Sequence, residues 1–408
     1  MNRFYNLVKA GVNEGYTDIH LSGEHPVVCR KNGKILFRKD QYSAEQLDDL
    51  ALKILTPHEL EMLRTRMSVD IARSISHVRI RFNIFFTTRG LSMAIRLLPG
   101  RIPSFHDLNL ISDLKEYTQL SSGLILVCGA TGSGKTSTIA AFLSEINRTS
   151  SRHIITLEDP IEYRFNSNKS YIEQRELGTH MKSFEQGLLD VLREDPDVIM
   201  VEGLRDPETI RLTLNAVEAG HLVIASLHAT NTEDALHRIC NSFPPEGQTL
   251  VRTQLSSVLS VLLVQKLQYM EKLGFSVPVL SILKGSASVK SIIRDNRFAQ
   301  IESIVQTGRN EGMITHEKYI TEYLEKQNYL IPPTIIFKPS AEMANHTIFE
   351  SALLQKQGMV PTRKPSKPGS VSQDQALMGY RNESGQYMIT GSSSMNDIIS
   401  QLEQARHK

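Results

Sequence analysis

The segment GATGSGKT, Gly129 to Thr136, fits the pattern G-x-x-x-x-G-K-[ST] at every fixed position. Residues of these types at this spacing do phosphate chemistry. Gly129, Ala130, Thr131, Gly132, Ser133 and Gly134 offer backbone N–H groups that can wrap phosphate oxygens, Lys135 reaches the β- and γ-phosphates, and Thr136 ligates Mg²⁺. An apolar run precedes the segment and the helical pattern TSTIAAFLSEIN follows, so the positive end of a new helix points at the same anion. A nucleoside triphosphate with Mg²⁺ is the expected ligand pair. A second group, TLEDPIEYRF, sets Glu158, Asp159 and Glu162 at the end of the next apolar run, where α/β sheets collect ligand groups. A carboxylate there can polarise an attacking water or hold a metal-bound one. Taken alone, such acids more often cap a helix or face solvent; beside a phosphate loop they become candidates for chemistry. His228, in SLHATN, ends another apolar run and either senses a γ-phosphate or serves as an ordinary hydrogen-bonded histidine.

The elements that must position these residues follow from apolar patterning. Leu124–Cys128, His153–Glu158, Asp197–Val201 and Leu222–His228 are continuous apolar runs between longer helical patterns, which suits strands covered on both faces of a largely parallel sheet. Residues 1–100 read instead as a small α+β unit. It starts with a helix over Asn2–Glu14 and two strands around Asn32-Gly33 within Val27–Phe37. A helical stretch from Ser43 to Leu63 follows, then a hairpin over Val78–Pro99 that turns at Thr88-Arg89-Gly90. The Pro- and Gly-bearing segment Pro99–Ser104 reads as a linker, with 101–106 as the boundary between the units. From Leu250 to about Tyr329 the pattern is mainly helical, within an expected α/β domain of 107–345. Residues 346–408 carry PTRKPSKPGS and TGSSS and read as a flexible tail, with a short amphipathic helix at Met395–Gln404.

The chain has 408 residues, 40% of them hydrophobic and 22% charged, which suits a globular protein of two or three domains. A net charge of +2 gives no bulk footprint for nucleic acid, so no direct nucleic-acid partner is expected. The three cysteines, Cys29, Cys128 and Cys240, are far apart, which excludes a disulfide framework or a zinc knuckle and fits a reducing compartment. Neither a signal peptide nor a run of about 18 apolar residues is visible, so the expectation is a cytoplasmic protein without a transmembrane segment, reaching any membrane through partners.

GATGSGKT, TLEDPIEY, QRELG (Gln174–Gly178), LREDPDV, RDPETI, EAGHLV and SLHATN, in this order, resemble the type II/IV secretion and pilus motor ATPases, a branch of hexameric RecA-like ATPases. Over roughly residues 1–325 the chain looks closest to the PilT-like retraction motors of type IV pili. QTGRNEGMIT (Gln306–Thr315) fits that branch, and the helix SVKSIIRD (Ser288–Asp295) matches a retraction-linked segment in pattern only. The tetracysteine insert of the assembly branches is absent. The resemblance implies an α/β fold, a RecA-like P-loop NTPase domain with a smaller N-terminal α+β (PAS-like) domain. It also implies a homo-hexamer or a mixed ring with a paralogue, docked at the cytoplasmic face of the inner membrane on a platform protein. Residue by residue, it implies Walker A roles for Lys135 and Thr136, a general base at Glu158, a His-box role for His228, and arginines at Arg81, Arg89 and Arg96, some of which reach nucleotide. A guanidinium suits that task because its planar, permanently charged fork pairs with phosphate oxygens. Without the resemblance, three arginines on a hairpin would read as a solvated face.

One departure stands out. The family's Walker B segment ends in Gly-Glu, whereas VEGLRD places Glu202 first and Gly203 second. Side chains alternate along a strand, so a shift by one position aims Glu202 away from the metal side unless the strand has ended or bulged. Three readings stay open: Gly203 lets the backbone re-aim Glu202 at Mg²⁺, the enzyme is slow, or the chain is a nucleotide-binding regulatory subunit beside an active paralogue. The expected function is pilus retraction, with a type IV secretion, conjugation or DNA-uptake ATPase as the alternative.

Overall fold

The computed structural model describes residues 1–31, 34–75, 78–98, 101–327, 329–332, 378–381 and 387–390. They fall in two units, Met1–Asn345 and His346–Lys408. In the first, helix α1 (Asn2–Glu14) buries Phe4, Leu7 and Val8 at helical spacing and stops where Gly15 turns left-handed at φ 73°. Strands β1 (Asp18–Ser22), β2 (His25–Lys31) and β3 (Lys34–Tyr42) follow; the turn expected at Asn32-Gly33 lies outside the described residues. The helix expected over Ser43–Leu63 is in fact two, α2 (Ala44–Ile54) and α3 (Pro57–Arg66). Thr56 forms a capping box with Glu59 and Pro57 lacks the N–H that a continuous helix needs, so the chain must break between them.

Strands β4 (Ser68–Ile75), β5 (Val78–Thr87) and β6 (Gly90–Leu97) complete a six-stranded antiparallel sheet of order β3-β2-β1-β6-β5-β4. The hairpin expected to turn at Thr88-Arg89-Gly90 is present, with Thr87 opposite Gly90 and Gly90 at φ 88°. Its register sets Arg81 directly across from Arg96. Strands β1 and β4 are additions that the sequence patterning does not announce. Of the linker segment, Pro99 and Gly100 lie outside the described residues, and 101–104 has no regular hydrogen-bonded structure.

The second sheet contains β7 (Gly123–Cys128), β8 (His153–Glu158), β9 (Tyr171–Glu176), β10 (Val198–Val201), β11 (Leu222–Leu227), β12 (Leu259–Met270) and β13 (Phe275–Lys284), in the order β13-β12-β7-β11-β10-β8-β9. All pairs are parallel except β12 with β13. Alternation along β7 feeds two cores: Leu124, Leu126 and Cys128 enter one, Ile125 and Val127 the other. Helices α4 (Lys135–Thr149), α5 (Phe184–Val191), α6 (Pro207–Glu218), α7 (Thr232–Asn241), α8 (Pro245–Val258) and α9 (Ala287–Arg294) cover the sheet.

The mainly helical reading from Leu250 is corrected here. After α8 the chain runs through the β12–β13 hairpin, which turns at Gly274 with φ 73°. Val261 to Val264 are all buried because β12 lies between β7 and β13 and is covered on both faces. Such a run carries no period that separates strand from helix. Of the second unit, the described residues form two strands, Met378–Arg381 and Tyr387–Thr390, paired antiparallel. That hairpin is the described part of the expected tail, and the expected helix at Met395–Gln404 lies outside the described residues.

Candidate functional site

The phosphate loop lies between β7 and α4. Gly129, Gly132 and Gly134 sit at φ 154°, 77° and 89°, values that other residues reach only with strain. A Cβ on Gly129 would lie 2.4 Å from both the Gln265 carbonyl and Ser133 Oγ, so the loop is closed against β12 as well as bent. Gln265 is 1% exposed. Its Nε2 donates to Ser133 O at 2.7 Å, and its Oε1 accepts from Thr138 Oγ1 at 2.6 Å. It thus pins the loop to the first turn of α4 from a strand that the sequence pattern misses, which is why sequence reasoning overlooks it.

Lys135 donates from Nζ to the carbonyls of Gly129 and Ala130, both at 2.9 Å. Burial lowers its pKa, opposed by the charges of Glu202 and Glu162 among others. Ser133 Oγ is buried without a hydrogen-bond partner. An orphaned hydroxyl in a glycine loop, an ammonium turned inward and a helix N-terminus form a donor set that an oxyanion completes. The residues present therefore fit a nucleotide's phosphates.

Glu158 and Glu162 sit in different environments. Glu158 is 2% exposed, and its Oε1 accepts from Thr156 Oγ1 at 2.6 Å and from Gln174 Nε2 at 2.9 Å. Burial raises its pKa to about 7, opposed by those two hydrogen bonds. Glu162 is half-buried and faces cations: Arg81 Nη1 lies 3.7 Å from its Oε1, and Arg81, Arg96 and the Thr136 hydroxyl all oppose the rise that burial imposes on its pKa. The acid that meets both the phosphate loop and the arginines is thus Glu162, present in the motif but passed over in favour of Glu158. Asp159 pairs with Arg205 at 2.8 Å.

Strand β10 has ended at Val201, so the alternation that would turn Glu202 away no longer governs it. Gly203 at φ 91° carries the bend, and Glu202 Oε2 accepts from Asp159 N at 2.8 Å. Burial first, then the neighbouring Glu158, Glu162 and Asp159 charges, raise the Glu202 pKa to about 8. In its ionised form it acts on both Lys135 and Arg81, so the carboxyl belongs to the cluster.

Arg81 and Arg96 oppose each other on β5 and β6, a like-charged pair held by carboxylates. Arg81 Nη2 bonds Asp70 at 2.7 Å and Arg96 Nε bonds Asp18 at 2.9 Å. Arg89 lies exposed in the turn, about 20 Å along the hairpin from Arg81 at the ordinary strand rise, and is not brought to the cluster. His228 stands one residue beyond β11, exposed. Partial burial, then the Lys135, Arg205 and Arg238 charges, lower its pKa and keep the ring neutral near pH 7. Among the described residues no group of three or more His, Cys, Asp or Glu side chains could hold a metal by itself. A Mg²⁺ bound here would draw on one hydroxyl, one carboxylate and the phosphates.

A family model described as "Type II/IV secretion system protein" matches residues 51–345. The chain is 37% identical over 313 residues to the uncharacterized protein YggR of Escherichia coli K12, covering 76% of this chain and 95% of that one. It is 38% identical over 293 residues to the twitching motility protein of Neisseria gonorrhoeae, covering 72% and 78%. The solved structure of the pilus retraction motor PilT with bound ADP matches with a TM-score of 0.72 at 35% identity, covering 83% of this chain and 97% of that one. The seven-stranded unit has the RecA-like P-loop fold, and a smaller N-terminal domain accompanies it.

Proposed function

Because the chain belongs to the type II/IV secretion system protein family, we propose that it is a cytoplasmic motor ATPase of the PilT kind, driving type IV pilus retraction. The observation that carries this reading is the convergence of Lys135, Glu162 and Glu202 with Arg81, which faces them from the other sheet. On this reading the backbone N–H groups of Gly129 to Gly134 and the Ser133 hydroxyl take phosphate oxygens of ATP. Lys135 exchanges its two loop carbonyls for the β- and γ-phosphates. Thr136 and Glu202 would hold Mg²⁺, whose charge offsets that of the phosphates. Glu162 orients and deprotonates the attacking water, Arg81 and Arg96 neutralise charge developing on the γ-phosphoryl group, and neutral His228 reports its presence. Glu158 stays buried behind them, held by Thr156 and Gln174, and supports the β8 end.

We further propose domain limits of 1–100, 101–106 and 107–345, with 346–408 as a separate extension. The N-terminal unit is PAS-like on the strength of its antiparallel sheet with helices α1 to α3 packed against it. A ring of six copies seated on a platform protein at the inner membrane completes the machine. Such docking would be peripheral, and among the described residues no helix is long and apolar enough to cross a membrane. Steady-state ATP turnover by the purified chain with Mg²⁺ tests the reading. A second reading, a nucleotide-binding regulatory subunit with little hydrolysis, is favoured by the Glu202-Gly203 order alone; tight ADP binding without turnover would select it.

A further inference from the structure

The segment 159–165, which carries Glu162, is tied down on several sides, and most ties come from within the nucleotide-binding domain itself. Asp159 N donates to Glu202, Phe165 N donates to Gln174 Oε1, and the hydroxyls of Tyr163 and Ser137 meet at 2.8 Å. One tie has a different origin. Arg79, on β5 of the N-terminal sheet and 6% exposed, donates from Nη2 and Nε to the carbonyl of Ile161 at 2.9 and 3.3 Å. The other side of the same residue is gripped as well: Ile161 N donates to Glu176 Oε2 at 3.0 Å, and Arg79 Nη2 lies 3.8 Å from that oxygen. Burial, then the charge of Arg164, pulls the Arg79 pKa down, yet the guanidinium remains charged near pH 7.

Arg79 and Arg81 are two residues apart on one strand and so share a face. β5 therefore delivers two guanidinium groups to adjacent residues of one loop: Arg79 to the Ile161 backbone and Arg81 to the Glu162 side chain. The two contacts differ in kind. Arg81 shares its fork with Asp70 in a partly open site, whereas Arg79 directs a buried fork at a main-chain oxygen and leaves the loop little freedom.

We propose that Arg79, with Glu176, is a positioning clamp that fixes the Ile161 backbone and so aims Glu162, letting displacement of the N-terminal sheet misalign or align that carboxylate. The clamp rests on the reading of Glu162 given above, but its existence can be measured apart from turnover. A point-charge ammonium keeps the cation at position 79 and loses the fork, so R79K isolates the geometry. Hydrogen exchange on the full chain without nucleotide should show the Ile161 amide exchanging roughly tenfold faster in R79K, as loosened local protection predicts, with β7 and α4 unchanged. With ATP and Mg²⁺, kcat should fall roughly 10- to 100-fold while nucleotide Kd stays within about threefold, the scale expected when a reacting group is displaced by about 1 Å.

Exchange that rises throughout both sheets would mean that Arg79 merely glues the domains together and would overturn the proposal. So would unchanged exchange at Ile161, or equal losses in kcat and affinity. If R79K does not fold, Glu176→Gln keeps an oxygen for the Ile161 N–H while removing the charge facing Arg79; it should raise exchange at the same amide, and no rise there overturns the clamp. A wild-type chain that binds ADP without hydrolysing ATP would sink the ATPase reading, and the clamp would then stand or fall on exchange alone.

Discussion

Glu158 and Glu162 are four residues apart in one motif, and the structure gives them opposite prospects, which Glu158→Gln and Glu162→Gln can separate. Glu158 has an ordinary pKa of 4.5 and a folded-state value of about 7, set mainly by burial. Between those values the folded chain holds a proton that the unfolded chain has released. Stability from this group is therefore complete below the unfolded value and is lost as pH rises to about 7, after which it is flat. At about 1.4 kcal/mol per pKa unit, the ionised group costs the fold about 3 kcal/mol above pH 7. Glutamine offers Thr156 and Gln174 the same acceptor oxygen and does not titrate. Thermal unfolding of wild type and Glu158→Gln should diverge in favour of the variant from pH 5 to pH 8, with kcat within about threefold of wild type. Glu162→Gln should bind nucleotide normally and lose two or more orders of magnitude in kcat, the usual scale for a lost general base. If Glu158→Gln is as inactive as Glu162→Gln, or if its stability difference does not change with pH, the division between the two acids is wrong.

Other outcomes follow from the same geometry. Gly203→Glu restores the family's letter at that position, but at φ 91°, with Arg205 Nε 2.9 Å from the new Cβ, it should destabilise the strand end by about 1–2 kcal/mol and lower turnover. Higher turnover would show that Glu202 is the misplaced carboxylate. Gln265→Leu leaves the Thr138 hydroxyl buried without its acceptor and frees Ser133 O, costing about 1–3 kcal/mol. Weaker ADP binding by calorimetry, together with a lower unfolding temperature, is the expected pair of results. Arg81→Ala should reduce kcat more than nucleotide affinity, whereas Arg89→Ala should leave turnover by a single isolated subunit unchanged, because the turn lies far from Glu162.

Much of this architecture is legible in the amino-acid order. The four strand runs between Leu124 and His228 lack polar alternation because each is covered on both sides, and the glycines of the phosphate loop announce their φ values directly. What escapes is tertiary in origin. β12 reads as helix because the unbroken burial of Val261 to Gln265 erases the period there, and with it goes Gln265, whose partners are 127 and 132 residues distant. The Ser43–Leu63 stretch hides a break that Thr56-Pro57 does encode, since a capping residue before proline is a start signal. The choice between Glu158 and Glu162 depends on which one the N-terminal arginines face, and no local pattern records a contact across 81 positions, from Arg81 to Glu162. Arg79 is the nearest miss, because its two-residue spacing from Arg81 places both on one strand face.

The central claim is that this loop and these acids grip and hydrolyse ATP, and the most direct measurement is phosphate release by the purified full chain with Mg²⁺, run beside Lys135→Ala. The account predicts steady turnover by the wild type and none by the variant, which should also lose nucleotide binding. Phosphate release that persists in Lys135→Ala, or a folded wild type that neither binds nor hydrolyses ATP, would contradict it.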